Sequence, residues 1–198
     1  MGVSILVGTM TETEKPAESP AGQEEDVLNR LVEEHQRQVY SLALRLTGNA
    51  AAADDITQET FISAWRHLKG FRGDSSLKTW LLRIAANKVR SYWRWKKLRS
   101  WVGLGARNED GEGAALEDLL PDDPAGRPEQ AALAADLERR VQKAINLLPP
   151  RQREVAALRA QGLALAEIGE TLGMAEGTVK AHWFEARRKL EVSLGEYL

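Results

Sequence analysis

The stretch Leu165–Leu190, LAEIGETLGMAEGTVKAHWFEARRKL, decides the class of the fold. Ile168 and Leu172 lie four residues apart and mark the inner face of a short helix that stops at Gly173. A turn of three to four residues follows, and a second helix opens near Glu176, held inward by Val179 and Leu190. Two helices joined by so tight a turn, with glycine at the corner, make a helix-turn-helix, whose second helix offers its outer face to a DNA major groove. Glu176, Thr178, Lys180, Ala181, His182, Glu185, Arg188 and Lys189 are the candidates for that face. Ala175 stands where Ser or Thr would cap the second helix, and lacking that cap costs about 1 kcal/mol. Glu185 either accepts a hydrogen bond from a cytosine amino group or faces away from the DNA.

Upstream, helical spacing returns near Pro128 and runs through EQAALAADLERRVQKAINLL and PPRQREVAALRAQG, so this half carries four helices. Before it, the 27 residues Val102–Pro128 hold seven acids, two bases, five glycines and three prolines, a composition unsuited to a regular core element. They read as a flexible acidic linker, drawn at 102–133. Further back, Val27, Leu28, Leu31, Val32, His35, Val39, Leu42, Ala43 and Leu46 fall at helical spacing from Asp26 to a stop at Gly48-Asn49. A second helix spans about Ala51 to Lys69, and a third follows the breaker-rich loop GFRGDSS. Residues 1–24, rich in Glu, Pro, Ser and Thr, read as a disordered tail. The expected fold is all-α: two small helical domains, 25–101 and 134–198, joined by the linker.

The third helix, Leu77–Trp101, holds eight Lys or Arg, five Trp or Tyr and no acid, in a chain whose formal net charge is −2. Leu77, Leu81, Ile84, Ala85, Val89 and Tyr92 form its inward stripe. Arg83, Asn87, Arg90, Arg94 and Lys97 share another face, suited to a phosphate backbone. Trp80, Trp93, Trp95 and Trp101 add flat surfaces on which unpaired bases stack, each stack contributing about 1–3 kcal/mol. On the second helix, Phe61, Ala64, Trp65 and Leu68 make the buried stripe. Asp55, Gln58, Glu59 and Ile62 make an acidic and polar face that fits a protein partner better than DNA.

Several classes are excluded. The apolar start MGVSILVGTM lacks a basic flank and is followed by acids, against a signal peptide. No stretch reaches the roughly 20 apolar residues that span a bilayer. There is no cysteine, and His35, His67 and His182 lie far apart without metal-ligand spacing, so neither metal nor cofactor is expected. A nuclease would need clustered acids or a placed histidine, whereas the acids here sit in the tail, the linker and the partner-like face. The expectation is a cytoplasmic protein that is not an enzyme.

The ordered motifs DDITQETFISAW, FRGDSSLKTWLLRIAANKVRSYWR and LPPRQREVAALRAQGLALAEIGETLGMAEGTVKAHWFEARRKL resemble the bacterial sigma-70 factors of the extracytoplasmic-function (ECF) group. The resemblance implies that Asp55, Gln58, Glu59 and Ile62 dock on the β′ clamp helices of core RNA polymerase, the last domain meeting the β flap. It implies that Phe71, Arg72, Asp74, Ser75 and Ser76 capture a flipped base of the minus-ten element. Lys78, Trp80, Arg83, Asn87, Arg90, Arg94 and Lys97 would then read and hold the melted strand. The helix from Glu176 to Lys189 would read the minus-thirty-five element. An anti-sigma factor is implied as a partner that could hold the protein at the inner membrane, and the linker would thread the polymerase cleft as an RNA mimic. The recognition helix departs from the group, with Lys180-Ala181-His182 where Lys-Ser-Arg is frequent. The alternative is a LuxR-type regulator acting on duplex DNA without core polymerase, which EGTVKAH also resembles.

Overall fold

The computed structural model describes residues 20–101 and 128–195, with side chains in 27–101 and 132–195. The described residues hold seven α-helices: α1 (Pro20–Thr47), α2 (Ala50–His67), α3 (Leu77–Trp101), α4 (Pro128–Asn146), α5 (Pro150–Ala160), α6 (Leu165–Leu172) and α7 (Glu176–Leu194). A short 3-10 turn, Leu68–Gly70, follows α2, and the described residues contain no strand. The linker segment 102–127 and residues 1–19 lie outside the described part.

One helix start differs from expectation, and one falls where helical spacing returns in the sequence. α1 opens at Pro20, not near Asp26, since proline suits a first helical turn and Gln and Glu extend a helix without an apolar face to bury. α4 opens at Pro128, inside the segment drawn as linker to 133, for the same reason at its first residue. The α1–α2 corner is as expected: Asn49 caps α2, its Oδ1 accepting from the Ala52 N–H at 2.8 Å. Ser76 plays this part at α3, accepting from the Thr79 N–H at 3.0 Å.

The helix-turn-helix corner needs two glycines for different reasons. Gly173 takes the left-handed conformation (φ 65°) that ends α6. At Gly169 a Cβ would lie 2.8 Å from the Met174 carbonyl oxygen, so only glycine lets the turn fold back on its helix. Ala175 gives α7 no side-chain cap, as expected.

α1, α2 and α3 pack around Val39, Leu42, Ala43, Ala53, Ala64, Leu81 and Ala85, and α5, α6 and α7 around Val155, Leu158, Ile168 and Val179. These groups belong to one continuous core, because the second half packs against the first along α1 and α3. Four polar contacts seal that junction. Arg45 pairs with Glu138 at 2.7 Å with both side chains mostly buried, and Gln142 donates to the Arg45 carbonyl at 3.0 Å. Gln161 donates to Ser41 Oγ at 3.1 Å, and Thr79 donates to Glu167 Oε1 at 2.9 Å.

The junction explains where the helical stripes were read too narrowly. Leu44 is buried although it lies off the α1 stripe, on the side that carries Ser41 and Arg45. Leu82 and Ala86 are buried on the side of α3 that carries Thr79, three and seven residues further on. Conversely, Leu77 and Val27, both read as inward, are exposed at their helix ends.

Glu167 also accepts from the Ala164 N–H at 2.7 Å, and this bond, then the Thr79 hydroxyl, holds its carboxyl below the ordinary carboxylate value. The Ala164 bond lies within the second half and persists whether or not the halves dock, so only the Thr79 share of that depression favours docking above the ordinary carboxylate value, and that share is lost as pH falls through the folded one. With dyes on Asp54→Cys and Arg187→Cys in this cysteine-free chain, acidification below the ordinary carboxylate range should lower energy transfer between the halves. Glu167→Gln should remove that dependence and weaken docking by about 1 kcal/mol, the scale of one partly exposed hydrogen bond.

Candidate nucleic-acid interface

Trp80 is 7% exposed and sits beneath Phe71, the ring centroids 5.1 Å apart and tilted by 44°. This pair holds the first residue of the loop 71–76 against α3. Most of Trp80 is therefore core, because the loop residue covers it, and only a small part of it is left accessible. It nevertheless lines a cleft of about 420 Å3 between α2 and α3, together with Ser63, His67, Arg83, Ile84, Asn87, Lys88 and Ser91. An apolar floor with a few polar groups converging on it suits one planar ring.

The basic face is present as read. Arg83, Asn87, Arg94 and Lys97 are exposed along α3. Arg90 is half-buried and lies along its own helix, donating to Asn87 Oδ1 at 2.7 Å. Arginine can only donate, so the Asn87 oxygen faces Arg90 and its NH2 group is left as an outward donor. Trp95 is 64% and Trp101 88% exposed at the far end of α3. Trp93 is tied down by its indole N–H, which donates to the Leu46 carbonyl at 3.1 Å.

Other minus-ten candidates are differently placed. Arg72, Asp74 and Ser75 lie on the accessible loop, whereas the Ser76 hydroxyl is spent on capping α3. Lys78 points toward the junction, its Nζ 3.8 Å from where a Cβ at Gly162 would lie. Four cleft residues went unnoticed in the sequence: Ser63, His67, Lys88 and Ser91. Ser63 and His67 are four apart at the C-terminal end of α2, a spacing that would have placed them on one face.

On the neighbouring face of α2, Asp55, Gln58 and Ile62 are exposed, Ile62 by 50%. Glu59 is exposed too but pairs with Lys88 of α3 at 3.0 Å, so part of its charge serves the packing of α2 on α3.

In the helix-turn-helix, Thr178, Lys180, Ala181 and Arg188 are exposed, as is Glu176, which pairs with Lys180 at 2.8 Å. His182 is half-buried. Glu185 pairs with Arg188 at 3.2 Å, which moderates its repulsion of phosphate. Lys189 turns back to donate to Gln152 Oε1 of α5 at 2.9 Å, off the outer face. Between α4 and α7, Leu147, Leu148 and Val192 line a second groove of about 300 Å3, rimmed by Arg188 and Lys189.

Among the described residues no three His, Cys, Asp or Glu converge as metal ligands would. No described helix is long and apolar enough to cross a membrane.

Comparison with known proteins divides the chain in the same way. Residues 31–99 match the family model of sigma-70 region 2, and residues 138–190 match that of sigma-70 region 4. The chain is 33% identical over 170 residues to the RNA polymerase sigma-H factor of Pseudomonas aeruginosa, covering 83% of this chain and 84% of that protein. It is 33% identical over 172 residues to the ECF RNA polymerase sigma factor SigW of Bacillus subtilis, covering 86% and 90%. Among solved structures it is similar to the sigma factor RpoE of Bartonella quintana, crystallised with the anti-sigma factor NepR (TM-score 0.64, 25% identity, 87% of this chain and 99% of that one). The fold is shared with CnrH, solved with the cytosolic domain of CnrY (TM-score 0.61, 23% identity, 90% and 96%). The region 2 match across the first half removes support from the LuxR-type alternative.

The burial difference among the tryptophans has a measurable consequence. Trp80→Ala should cost about 3–5 kcal/mol in urea unfolding, as for a large buried ring, while Trp95→Ala should stay within about 0.5 kcal/mol.

Proposed function

We infer the role of this chain from its membership: it belongs to the sigma-70 family of RNA polymerase sigma factors, in the extracytoplasmic-function group. It is a transcription initiation factor that directs core RNA polymerase to promoters. Sigma factors are not enzymes, and the polymerase supplies the chemistry.

One observation carries the finer reading: a ring-sized cleft opens beside the basic face of α3, in the same chain as a helix-turn-helix whose outer face is accessible. The cleft and the loop 71–76 take a base flipped out of the minus-ten element, a step that costs a few kcal/mol and is repaid by stacking and a fitted pocket. Arg83, Asn87, Arg90, Arg94 and Lys97 hold the strand beside it, and Thr178, Lys180, Ala181 and Arg188 meet the minus-thirty-five element. The face of Asp55, Gln58 and Ile62 docks on the β′ clamp helices, and the groove between α4 and α7 takes the β flap. The working compartment is the cytoplasm. The Bartonella relative is held by an anti-sigma factor, and this chain is held by such a partner in turn, which covers its basic faces.

Binding both promoter elements requires the junction to open. Elements named for positions minus ten and minus thirty-five lie about 25 base pairs apart, or about 85 Å at 3.4 Å per step. α3 itself, with 25 residues, is about 37 Å long, and α6 packs directly against it. Docked halves cannot span that distance, so core polymerase separates them.

The test adds the purified chain to core polymerase and fragmented genomic DNA and sequences run-off transcripts. Discrete new start sites sharing two upstream motifs are expected, and duplex binding without assembly on core would overturn the reading. Ile62→Asp should weaken assembly on core at least tenfold while leaving the fold intact. Charge reversal at Arg83 and Arg94 should weaken non-template strand binding and reduce its salt slope by about 1 per lost phosphate contact.

A further inference from the structure

We propose that the chain's own acidic segment, residues 109–123, docks on the exposed end of α3 and screens Arg94 and Lys97 from nucleic acid until assembly on core polymerase draws it away. Only the consequence for promoter strands rests on the reading above, and the docking stands on the chain alone.

Trp93 is tied to the Leu46 carbonyl, one residue before α1 ends at Thr47. Beyond that tie α3 continues for eight residues to Trp101, about 12 Å of helix. Trp95, Leu98 and Trp101 follow there at successive offsets of three and are 64%, 51% and 88% exposed. Arg94 lies four residues from Leu98, and Lys97 lies four from Trp101, so both cations border this apolar surface. Among the described residues no acid pairs with Arg94, Lys97 or Arg99. An exposed apolar surface with a charged rim marks an interaction site, and this rim calls for a partner that is both apolar and acidic.

The segment that follows Trp101 has that composition. Residues 109–123 hold seven acids and no base, and Leu116, Leu119 and Leu120 stand among Glu117, Asp118, Asp122 and Asp123. Fourteen residues, four of them glycine, separate Trp101 from Leu116. A chain of that length and type has an r.m.s. reach of about 20 Å, whereas Arg94 lies only about 10 Å back along the helix from Trp101. The leucines therefore return over Trp95 and Leu98 while the acids meet Arg94 and Lys97. Such a tether gives an effective concentration of about 1 mM, so a contact too weak to join separate molecules forms within one. Exposed ion pairs are individually weak and screened by salt, which keeps the segment displaceable. A single strand offers the same two features, phosphates in place of the acids and stacking bases in place of the leucines. The segment and the strand thus compete for one surface.

The wild-type chain has no cysteine, so Ser100→Cys with Ala115→Cys reports return of the segment as intrachain disulfide formation in a glutathione buffer at low protein concentration. Leu116→Ser, Leu119→Ser and Leu120→Ser together remove the apolar contact without changing net charge. They should lower the effective concentration of the two thiols about fivefold or more, and Trp95→Ser with Leu98→Ser should do so from the other side. In fluorescence anisotropy with a labelled mixed-sequence strand of about 12 nucleotides, the full chain carrying only the three serines should bind about 3- to 10-fold tighter than wild type. That is the gain expected when docking occupies roughly 70–90% of free chains. Since the charge is unchanged, lost repulsion does not account for it. Disulfide formation indifferent to both sets of serines, or strand affinity unchanged by the three in the segment, overturns the proposal. Disulfides formed mainly between chains and rising with concentration overturn it too, placing a second copy on this face. Neither readout contains polymerase, so their failure leaves the sigma-factor reading standing, and failure of the run-off test leaves the docking to be judged on its own.

Discussion

The packing of Phe71 over Trp80 is the contact on which the minus-ten side of the molecule depends. A loop of Gly, Asp and Ser has little apolar surface of its own to hold it in place. By burying one aromatic ring against another, the chain pins the start of that loop to α3, and Ser76 pins its end by capping the same helix. The cleft then follows as a consequence: Trp80 forms its floor, and the approach of α2 to α3, secured by Glu59 and Lys88, sets its width. A shape fixed by core packing exists before any ligand arrives, so on the proposed function little binding energy is spent on ordering it.

Much of this was legible in the sequence, and the reasons for the exceptions are physical. Helix periods report burial on a helix's main inward face, so Leu31, Val39, Leu42, Leu81, Ala85 and Val89 were placed correctly. Periodicity cannot report a second buried face created by another domain, which is why Leu44, Leu82 and Ala86 escaped it. Residue type was ambiguous in the same way for tryptophan. Trp80, Trp95 and Trp101 are of one type, yet one is core and two are surface, because only the first lies within the length of the bundle. The cleft residues Ser63 and His67 carry no signal of type or charge, and only the close approach of two helices gives them a common purpose. Lys78 and Lys189 were assigned to DNA by charge alone, while geometry turns one toward the junction and the other to Gln152.

The junction between the halves combines a shared apolar core, which buries Leu44, Leu82 and Ala86, with polar contacts that reverse easily. Of its four polar links, only Arg45 with Glu138 joins opposite charges, and the rest are single hydrogen bonds with a net contribution of about 1 kcal/mol each. These polar groups, once separated, are rehydrated without leaving a buried charge behind, whereas Leu44, Leu82 and Ala86 lose their cover, so the apolar part of the junction sets the cost of opening. Thr79 and Lys78 occupy the first turn of α3, directly after the loop that borders the base-binding cleft. Undocking the second half therefore frees that first turn of α3. The cleft and the outer face of α7 are both exposed, so docking buries neither of the surfaces proposed for DNA. What docking withholds is their separation, since each surface can meet its own element but the pair cannot meet a promoter of fixed spacing. On the proposed function, restraint by distance leaves each half able to bind weakly alone, and opening by core polymerase is then the step at which two weak contacts become one specific one.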